Sequence, residues 1–320
     1  MEPAGRVAVV IPSWNTLRFL PRCLESVRAQ EVGGEVFVID NGSSDGSVEY
    51  LRDKGVDHVA LAENAGFAAA VNLAAASTSA TAVFVLNADA TLEPGCLARL
   101  LEALEADSSL GGVQPRILQG EDGRNEGGVG SARLYSAGQA LTADGRAFEI
   151  GMGEVQSREL LDGREVFGVC GAACLLRREL FAELGGYDES YFSFYEDVDL
   201  NMRARIAGWR FRYVPEAVAW HVGNASWLAG FERPGADNAR LVARNRLATQ
   251  VKFVPVGAVP RIAAVETGSL VRAARQGRFR ATARGKLEAL RRLPALLRER
   301  RRLRREGDPA RARRWLGADG

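Results

Sequence analysis

Residues 35–47, EVFVIDNGSSDGS, decide the fold class. Four apolar side chains run together from Val36 to Ile39 without alternation, and the run breaks at Asp40 into Asn, Gly, Ser and Asp. An unbroken apolar run bounded by turn residues reads as a strand buried on both faces. Upstream, RVAVVIP (6–12) is a second such run. Between them LRFLPRCLESVRAQ (17–30) carries Leu17, Leu20, Leu24 and Val27 at helical spacing. Downstream, SVEYLRDKG (47–55) reads as a helix closed by Gly55, and DHVALAENAGFAAAVNLAAAST (57–78) as strand, loop and Ala-rich helix. TAVFVLNADA (81–90) is another strand, and EPGCLARLLEALEAD (93–107) a helix with Pro94 near its first turn, where a missing N–H is tolerated. Strands alternating with helices predict an α/β fold, a mostly parallel sheet flanked by helices.

In such sheets ligands bind beyond the carboxyl ends of the strands. The informative residues follow each run: Pro12, Ser13, Trp14 and Asn15; then Asp40 to Asp45; then Glu63 to Phe67, including Gly66; then Asn87, Ala88 and Asp89. Neither a Gly-x-Gly-x-x-Gly fingerprint nor a Gly-Lys-Ser/Thr phosphate loop is present, so a nucleotide here is gripped by carboxylates and a metal. Asn87 and Asp89 put two oxygen ligands one residue apart on a segment leaving a strand. Mg²⁺ suits that pattern, because it takes few protein oxygens and completes its shell with substrate phosphates. The alternative for Asp89 is a cap on the following helix.

FSFYEDVDL (192–200) gathers Glu196, Asp197 and Asp199 beside aromatics. It reads as an acidic helix start, which exposed N–H groups welcome, or as a working acid. Glu196 and Asp199 share a helix face, Asp199 and Arg203 are spaced to pair, and Asp197 is left for the cleft. Aromatic surroundings and neighbouring acids raise its pKa from about 4 toward the range useful to a general base. GGVGSARLYSAGQALTADGRAFEIGMGEVQ (127–156) is glycine-rich without helical period and reads as a hairpin-rich insertion over the cleft. FGVCGAACLLRRELF (167–181) then returns to the core as strand and helix.

Taken in order, VAVVIPSWN (7–15), VFVIDNGSSDGS (36–47), ENAGFAAAVN (63–72), VFVLNADA (83–90) and the segment from Gly171 to His221 resemble the inverting family 2 glycosyltransferases of GT-A fold, nearest to bacterial rhamnosyltransferase-like members. The resemblance covers roughly residues 6–250. It implies transfer of rhamnose or another hexose from a dTDP or UDP donor to a glycan or lipid-linked acceptor hydroxyl, in cell-surface polysaccharide or glycoconjugate synthesis, with Mg²⁺ or Mn²⁺. It implies that Asp197 is the base with Glu196 beside it. Asp40 meets the pyrimidine base, where a carboxylate accepting N3–H favours uracil or thymine over cytosine. Pro12, Ser13, Asn15, Asn41, Gly66, Asn87, Ala88 and Arg244 complete the donor site. Asp89, Asn87 and His221 hold the metal, Asn87 standing where the family's first acid lies.

The 320 residues carry a net charge of +2, and 47% are apolar. From residue 271 onward there are 17 Lys+Arg and 5 Asp+Glu, against 25 and 35 before it. That shift divides the chain into a GT-A-type unit, 1–255 (a nucleotide-binding half, 1–110, and an acceptor or catalytic half, 111–255), and a basic amphipathic helical region, 256–320. Such helices lie on anionic membrane or pack on the domain with solvated arginines. Nucleic acid is not expected, since interleaved aromatics are lacking. The start of the chain does not read as a signal peptide, no apolar run spans a bilayer, and four scattered cysteines suggest reduced buried thiols. A cytoplasmic protein, peripheral at the inner face of the plasma membrane, is expected; a homodimer is left open. A sugar-nucleotide nucleotidyltransferase and a catalytically degenerate membrane scaffold stand as alternatives.

Overall fold

A computed structural model describes residues 6–32, 34–120, 129–223 and 234–317. The strands are β1 (Val7–Ser13), β2 (Glu35–Asp40), β3 (His58–Ala60), β4 (Ala82–Leu86), β5 (Ala90–Leu92), β6 (Leu110–Gln119), β7 (Leu134–Ser136), β8 (Gln139–Leu141), β9 (Ala147–Glu149), β10 (Arg164–Val166), β11 (Ala173–Arg177) and β12 (Arg210–His221). The helices are α1 (Leu20–Arg28), α2 (Ser47–Asp53), α3 (Phe67–Ala76), α4 (Cys96–Glu105), α5 (Arg178–Leu184), α6 (Glu196–Ala207), α7 (Pro234–Phe253), α8 (Val259–Arg275), α9 (Phe279–Arg291), α10 (Leu293–Glu306) and α11 (Pro309–Arg313).

The main sheet runs β10-β12-β6-β11-β4-β1-β2-β3, with β5 on β12 and β7 on β6. β3, β2, β1 and β4 are parallel, β11 is antiparallel to both neighbours, and β12 is parallel to β6. The sheet is therefore mixed around a parallel half, as expected of the α/β class. Its polarity brings the ends of β1, β2, β4, β6 and β12 to one rim, together with the start of β11.

The continuous apolar runs follow from burial on both faces. In β1, Val7, Val9 and Ile11 pack under α1, α2 and α4, while Val10 packs under α3 with Val83 and Val85 of β4. Removing each such side chain from water contributes about 1.5–3 kcal/mol. α1 begins at Leu20 rather than Leu17, with Pro21 in its first turn. Proline there gives up an N–H that has no helical partner and presets φ, so the turn before it stays outside the helix. α4 likewise starts at Cys96, just after Pro94.

The insertion contains the expected hairpin, β8 on β9, with Gln139 opposite Glu149. Residues 127 and 128 of that stretch lie outside the described residues. The four cysteines are buried and free. The basic C-terminal region folds as helices against the body. Gly285 of α9 sits on the backbone of Arg240 in α7, where an added Cβ would lie 2.1 Å from the Arg240 carbonyl oxygen. Glu266 of α8 receives both Arg246 of α7, at 2.8 Å, and Lys286 of α9. No helix among the described residues is long and apolar enough to cross a membrane.

Candidate active site

A cavity of about 530 Å³ opens at the rim. Of the residues expected to work, Pro12, Ser13, Asn41, Gly66, Asn87, Ala88, Asp89, Glu196, Asp197 and His221 line it. The ends of β1 and β4, the loops after β2 and β3, the start of α6 and the end of β12 thus supply one space.

Asp40, Asn15 and Arg244 are not among the lining residues. Asp40 is fully buried, and its oxygens accept the Ser43 backbone N–H at 2.8 Å and hydroxyl at 2.6 Å. Ser43 Oγ also accepts the Asn15 N–H at 2.8 Å, and Asn15 Oδ1 accepts the Ser44 N–H at 2.9 Å. Asp40 and Asn15 therefore tie the β1 and β2 loops together behind the wall. Arg244 donates to the Tyr191 carbonyl at 2.7 Å and to Asn245 Oδ1 at 2.8 Å. In this structure its guanidinium is committed to a protein turn, where the resemblance implied a diphosphate.

On one wall, His221 Nε2 lies 3.1 Å from Asp89 Oδ1 and 3.1 Å from Asn87 Nδ2. Strand pairing explains the grouping: β5 begins directly after Asp89 and pairs His221 with Ala90. Tyr135 stands edge-on to the imidazole at 4.4 Å. His221 Nδ1 is buried without a hydrogen-bond partner among the described residues. One carboxylate, one carboxamide and one imidazole converge, a donor set that a divalent ion such as Mn²⁺ or Mg²⁺ fits with shell positions to spare. A second cluster, Glu149, Cys170 and Asp197, brings its donor atoms within 4.8 Å of one another. There burial and both acids push the Cys170 thiol well up, so a neutral thiol, a poor metal ligand, faces the carboxylates.

On the opposite wall the turn before α6 is strained. Phe192, Phe194 and Tyr195 take φ of 66°, 69° and 69°, each costing roughly 1–3 kcal/mol for a side chain with a Cβ. Asn245 of α7 holds them: its Nδ2 lies 2.9 Å from the Tyr191 and Ser193 carbonyls and 2.7 Å from that of Phe194. Gly66 admits the turn from the other side, since an added Cβ would meet the Phe192 carbonyl oxygen at 2.6 Å. Helix α6 therefore starts with Glu196 and Asp197 pointed into the cavity.

Asp197 Oδ2 accepts Gly171 N–H at 3.1 Å and Gln139 Nε2 at 2.8 Å, and Oδ1 accepts Val198 N–H at 2.7 Å. Burial outweighs these donors and raises the carboxyl above its usual range. Burial and neighbouring Asp197 push Glu196 well up, and its Oε2 lacks a partner among the described residues. Asp199 instead turns inward and pairs with Arg203 at 2.6 Å and with Lys252. Gln139 and Glu149 also line the cavity. No motif in the sequence announces them; the only signal is the glycine-rich insertion expected over the cleft.

A family model described as glycosyl transferase family 2 matches residues 8–185. The N-acetylglucosaminyl-diphospho-decaprenol L-rhamnosyltransferase of Mycobacterium tuberculosis (strain ATCC 25618 / H37Rv) is 29% identical over 242 residues, 67% of this chain and 75% of that protein. The pre-mycofactocin glycosyltransferase of the same strain is 32% identical over 261 residues, 79% of this chain and 51% of that protein. Among solved structures, GalNAc-T7 with UDP, GalNAc and Mn²⁺ superposes with a TM-score of 0.60 at 17% identity, covering 79% of this chain and 49% of that one. The mannosyltransferase PcManGT from Pyrobaculum calidifontis, in complex with GDP-Man and Mn²⁺, gives a TM-score of 0.53 at 19% identity over 97% of this chain and 86% of that one. These two likenesses are of fold.

Proposed function

The chain belongs to glycosyl transferase family 2, with rhamnosyltransferase-like relatives, and from that premise we propose that it transfers a hexose from a dTDP or UDP donor to an acceptor hydroxyl with inversion. One observation supports this above the rest: Asp89 and Asp197 line the same cavity. The donor diphosphate lies along the Asn87, Asp89 and His221 wall. Asn87, Asp89 and His221 would hold a divalent cation there, which would supply positive charge to offset that of the leaving diphosphate. Pro12, Ser13, Asn41, Gly66 and Ala88 shape the nucleotide site, with Asp40 and Asn15 setting the loops. Asp197 takes the acceptor proton as the oxygen attacks C1. Glu196, its carboxyl pushed up by burial and by Asp197, offers a hydrogen bond to a sugar hydroxyl. Relatives acting on a diphospho-decaprenol-linked sugar support a lipid-linked acceptor.

The protein is to be incubated with Mn²⁺ or Mg²⁺ and a panel of nucleotide sugars, with released nucleoside diphosphate as the readout. Slow donor hydrolysis, abolished by EDTA, is expected, and Asp89→Ala should lower it by about a hundredfold. Pyrophosphate exchange would favour a nucleotidyltransferase instead. Neither activity would favour a scaffold.

The outer surface of the C-terminal helices supports peripheral binding to an anionic cytoplasmic membrane face. Val271, Phe279, Leu287, Leu290 and Leu297 are exposed there. They lie in a region, 256–317, with 18 Lys+Arg and 5 Asp+Glu. All five acids are paired: Glu266, Glu288, Glu299, Glu306 and Asp308. Apolar side chains amid unopposed arginines suit insertion beside lipid phosphates. Cosedimentation of the full chain should be strong with phosphatidylglycerol-containing vesicles and weak with phosphatidylcholine alone. Leu287→Asp with Leu290→Asp should cut binding about thirtyfold or more, two lost apolar contacts at roughly 1–2 kcal/mol each. Equal binding to both vesicle types would remove the membrane from this reading.

A further inference from the structure

The base proposed for transfer shares the cavity with a second acid that the family motifs do not include. Glu149 ends β9, directly across from Gln139 at the start of β8. Gln139 Nε2 donates to Glu149 Oε1 at 3.0 Å and to Asp197 Oδ2 at 2.8 Å, so one amide group bridges both carboxylates. The amide cannot be turned round. Gln139 Oε1 accepts Asn201 Nδ2 at 2.8 Å, and Asn201 Nδ2 is fixed in turn by the Val169 carbonyl at 2.9 Å. Glu149 Oε2 accepts the Ser136 hydroxyl at 2.5 Å.

The two acids are served unequally. Asp197 accepts three N–H groups, Glu149 one N–H, one hydroxyl and the weakly donating Cys170 thiol. N–H donors favour the ionised form, and the charge on Asp197 opposes ionisation of its neighbour. Among the described residues, the titratable groups facing Glu149 are Asp197 from α6, Cys170 from the segment before β11 and Tyr135 from β7. No cation is among them. Burial, with Asp197 second, raises the Glu149 carboxyl to about 7.

We propose that Glu149 is a positioning residue for transfer: through the Gln139 bridge it aims the Asp197 carboxylate, and its own charge sets how strongly Asp197 holds a proton. This rests on the reading of Asp197 as base. As pH rises, Glu149 gains a charge beside Asp197 and strengthens the base by like-charge repulsion. The chemistry of transfer is unchanged. The acceptor O–H proton passes to Asp197, the O–C1 bond forms, the C1–O bond to the diphosphate breaks, and the proton then leaves to solvent.

The test compares pH profiles of kcat and kcat/KM for the full chain, wild type and Glu149→Gln, with Mn²⁺ and the active donor. Wild type should show an inflection near pH 7. Glu149→Gln should lose that inflection and about tenfold in kcat at pH 8, with donor KM unchanged and Tm held or raised; Glu149→Asp should restore the inflection. An unshifted profile in an active Glu149→Gln overturns the proposal, as does a loss accounted for by a lowered Tm. A readout free of turnover keeps the two readings separable. In ¹³C carboxyl NMR, Glu149 should titrate near 7 in wild type and lower in Asp197→Asn. A Glu149 midpoint near the ordinary value of about 4.3, or one that ignores Asp197→Asn, overturns the coupling whether or not any donor turns over.

Discussion

Asp197→Asn should lower transfer by about 10²- to 10⁴-fold, the usual contribution of a positioned base, and leave donor binding intact. The carboxamide is the closest isostere, and its oxygen can keep the Oδ2 position, which accepts both Gly171 N–H and Gln139 Nε2. What is lost is a lone pair able to take a proton, and with it the Oδ1 acceptor of the Val198 N–H. Folding does not suffer, for a reason that can be checked by sign. A carboxyl raised in the folded state binds a proton there that the unfolded chain has already released. Stability attributable to it is therefore present at low pH and falls as pH climbs through the raised value. Both Asp197 and Glu149 are raised, the latter from 4.5 to about 7. Neutralising Asp197 should then hold or increase Tm at pH 8 relative to wild type. Isothermal titration with the nucleoside diphosphate and Mn²⁺ checks binding, and single-turnover transfer checks chemistry. Wild-type transfer by Asp197→Asn would remove Asp197 from the role of base.

Asp199→Ala, two residues on, should have the opposite signature: a large loss of stability with chemistry retained in the protein that remains folded. Asp199 is fully buried and holds two cations, Arg203 at 2.6 Å and Lys252, themselves 5% and 1% exposed. Removing one partner of a buried ion pair costs about 3–5 kcal/mol, because the other charge stays uncompensated. Here two charges are orphaned. Lys252 keeps Asp188 at 3.2 Å, and Arg203 keeps the Leu184 and Gly186 carbonyls at 2.9 Å, which limits the damage. For a chain of this size each kcal/mol lowers Tm by roughly 2–4 °C, so a fall on the order of 10 °C is expected by calorimetry or circular dichroism. Asp199 does not line the cavity, so kcat measured well below Tm should stay within about threefold of wild type. A Tm within about 2 °C of wild type would show that the ion cluster contributes little net stability.

What could be read from the residues alone follows from period and polarity. β1 and β4 are buried on both faces and β2 from Val38 onward, so their apolar runs are unbroken, and the rim they end on is where Asn87, Asp89 and the loop residues were expected. Asp199 and Arg203 were legible as a pair because helical spacing fixes which side chains meet. Asp40 and Asn15 were placed in these loops, but a sequence does not tell which partners a turn residue takes there; here they are Ser43 and Ser44. Arg244 followed the same logic on a helix, with Tyr191 taking its hydrogen bond. Gln139 and Glu149 were hidden for another reason. β8 and β9 are three residues each, too short for any period, and what brings them to Asp197 is a contact across 58 positions of sequence.

The clamp that Asn245 places on the Tyr191 to Phe194 carbonyls has a consequence for biogenesis. Left to itself, the turn would relax out of its left-handed geometry, and its restraint comes from a residue synthesised some fifty positions later. While the chain emerges from the ribosome, the β1, β2 and β4 rim is made before the turn ahead of α6 is clamped, and Val242 of α7 joins the cavity wall at that same late stage. A polypeptide ending before α7 would leave that turn unrestrained, so on the reading of Asp197 as base it should not transfer.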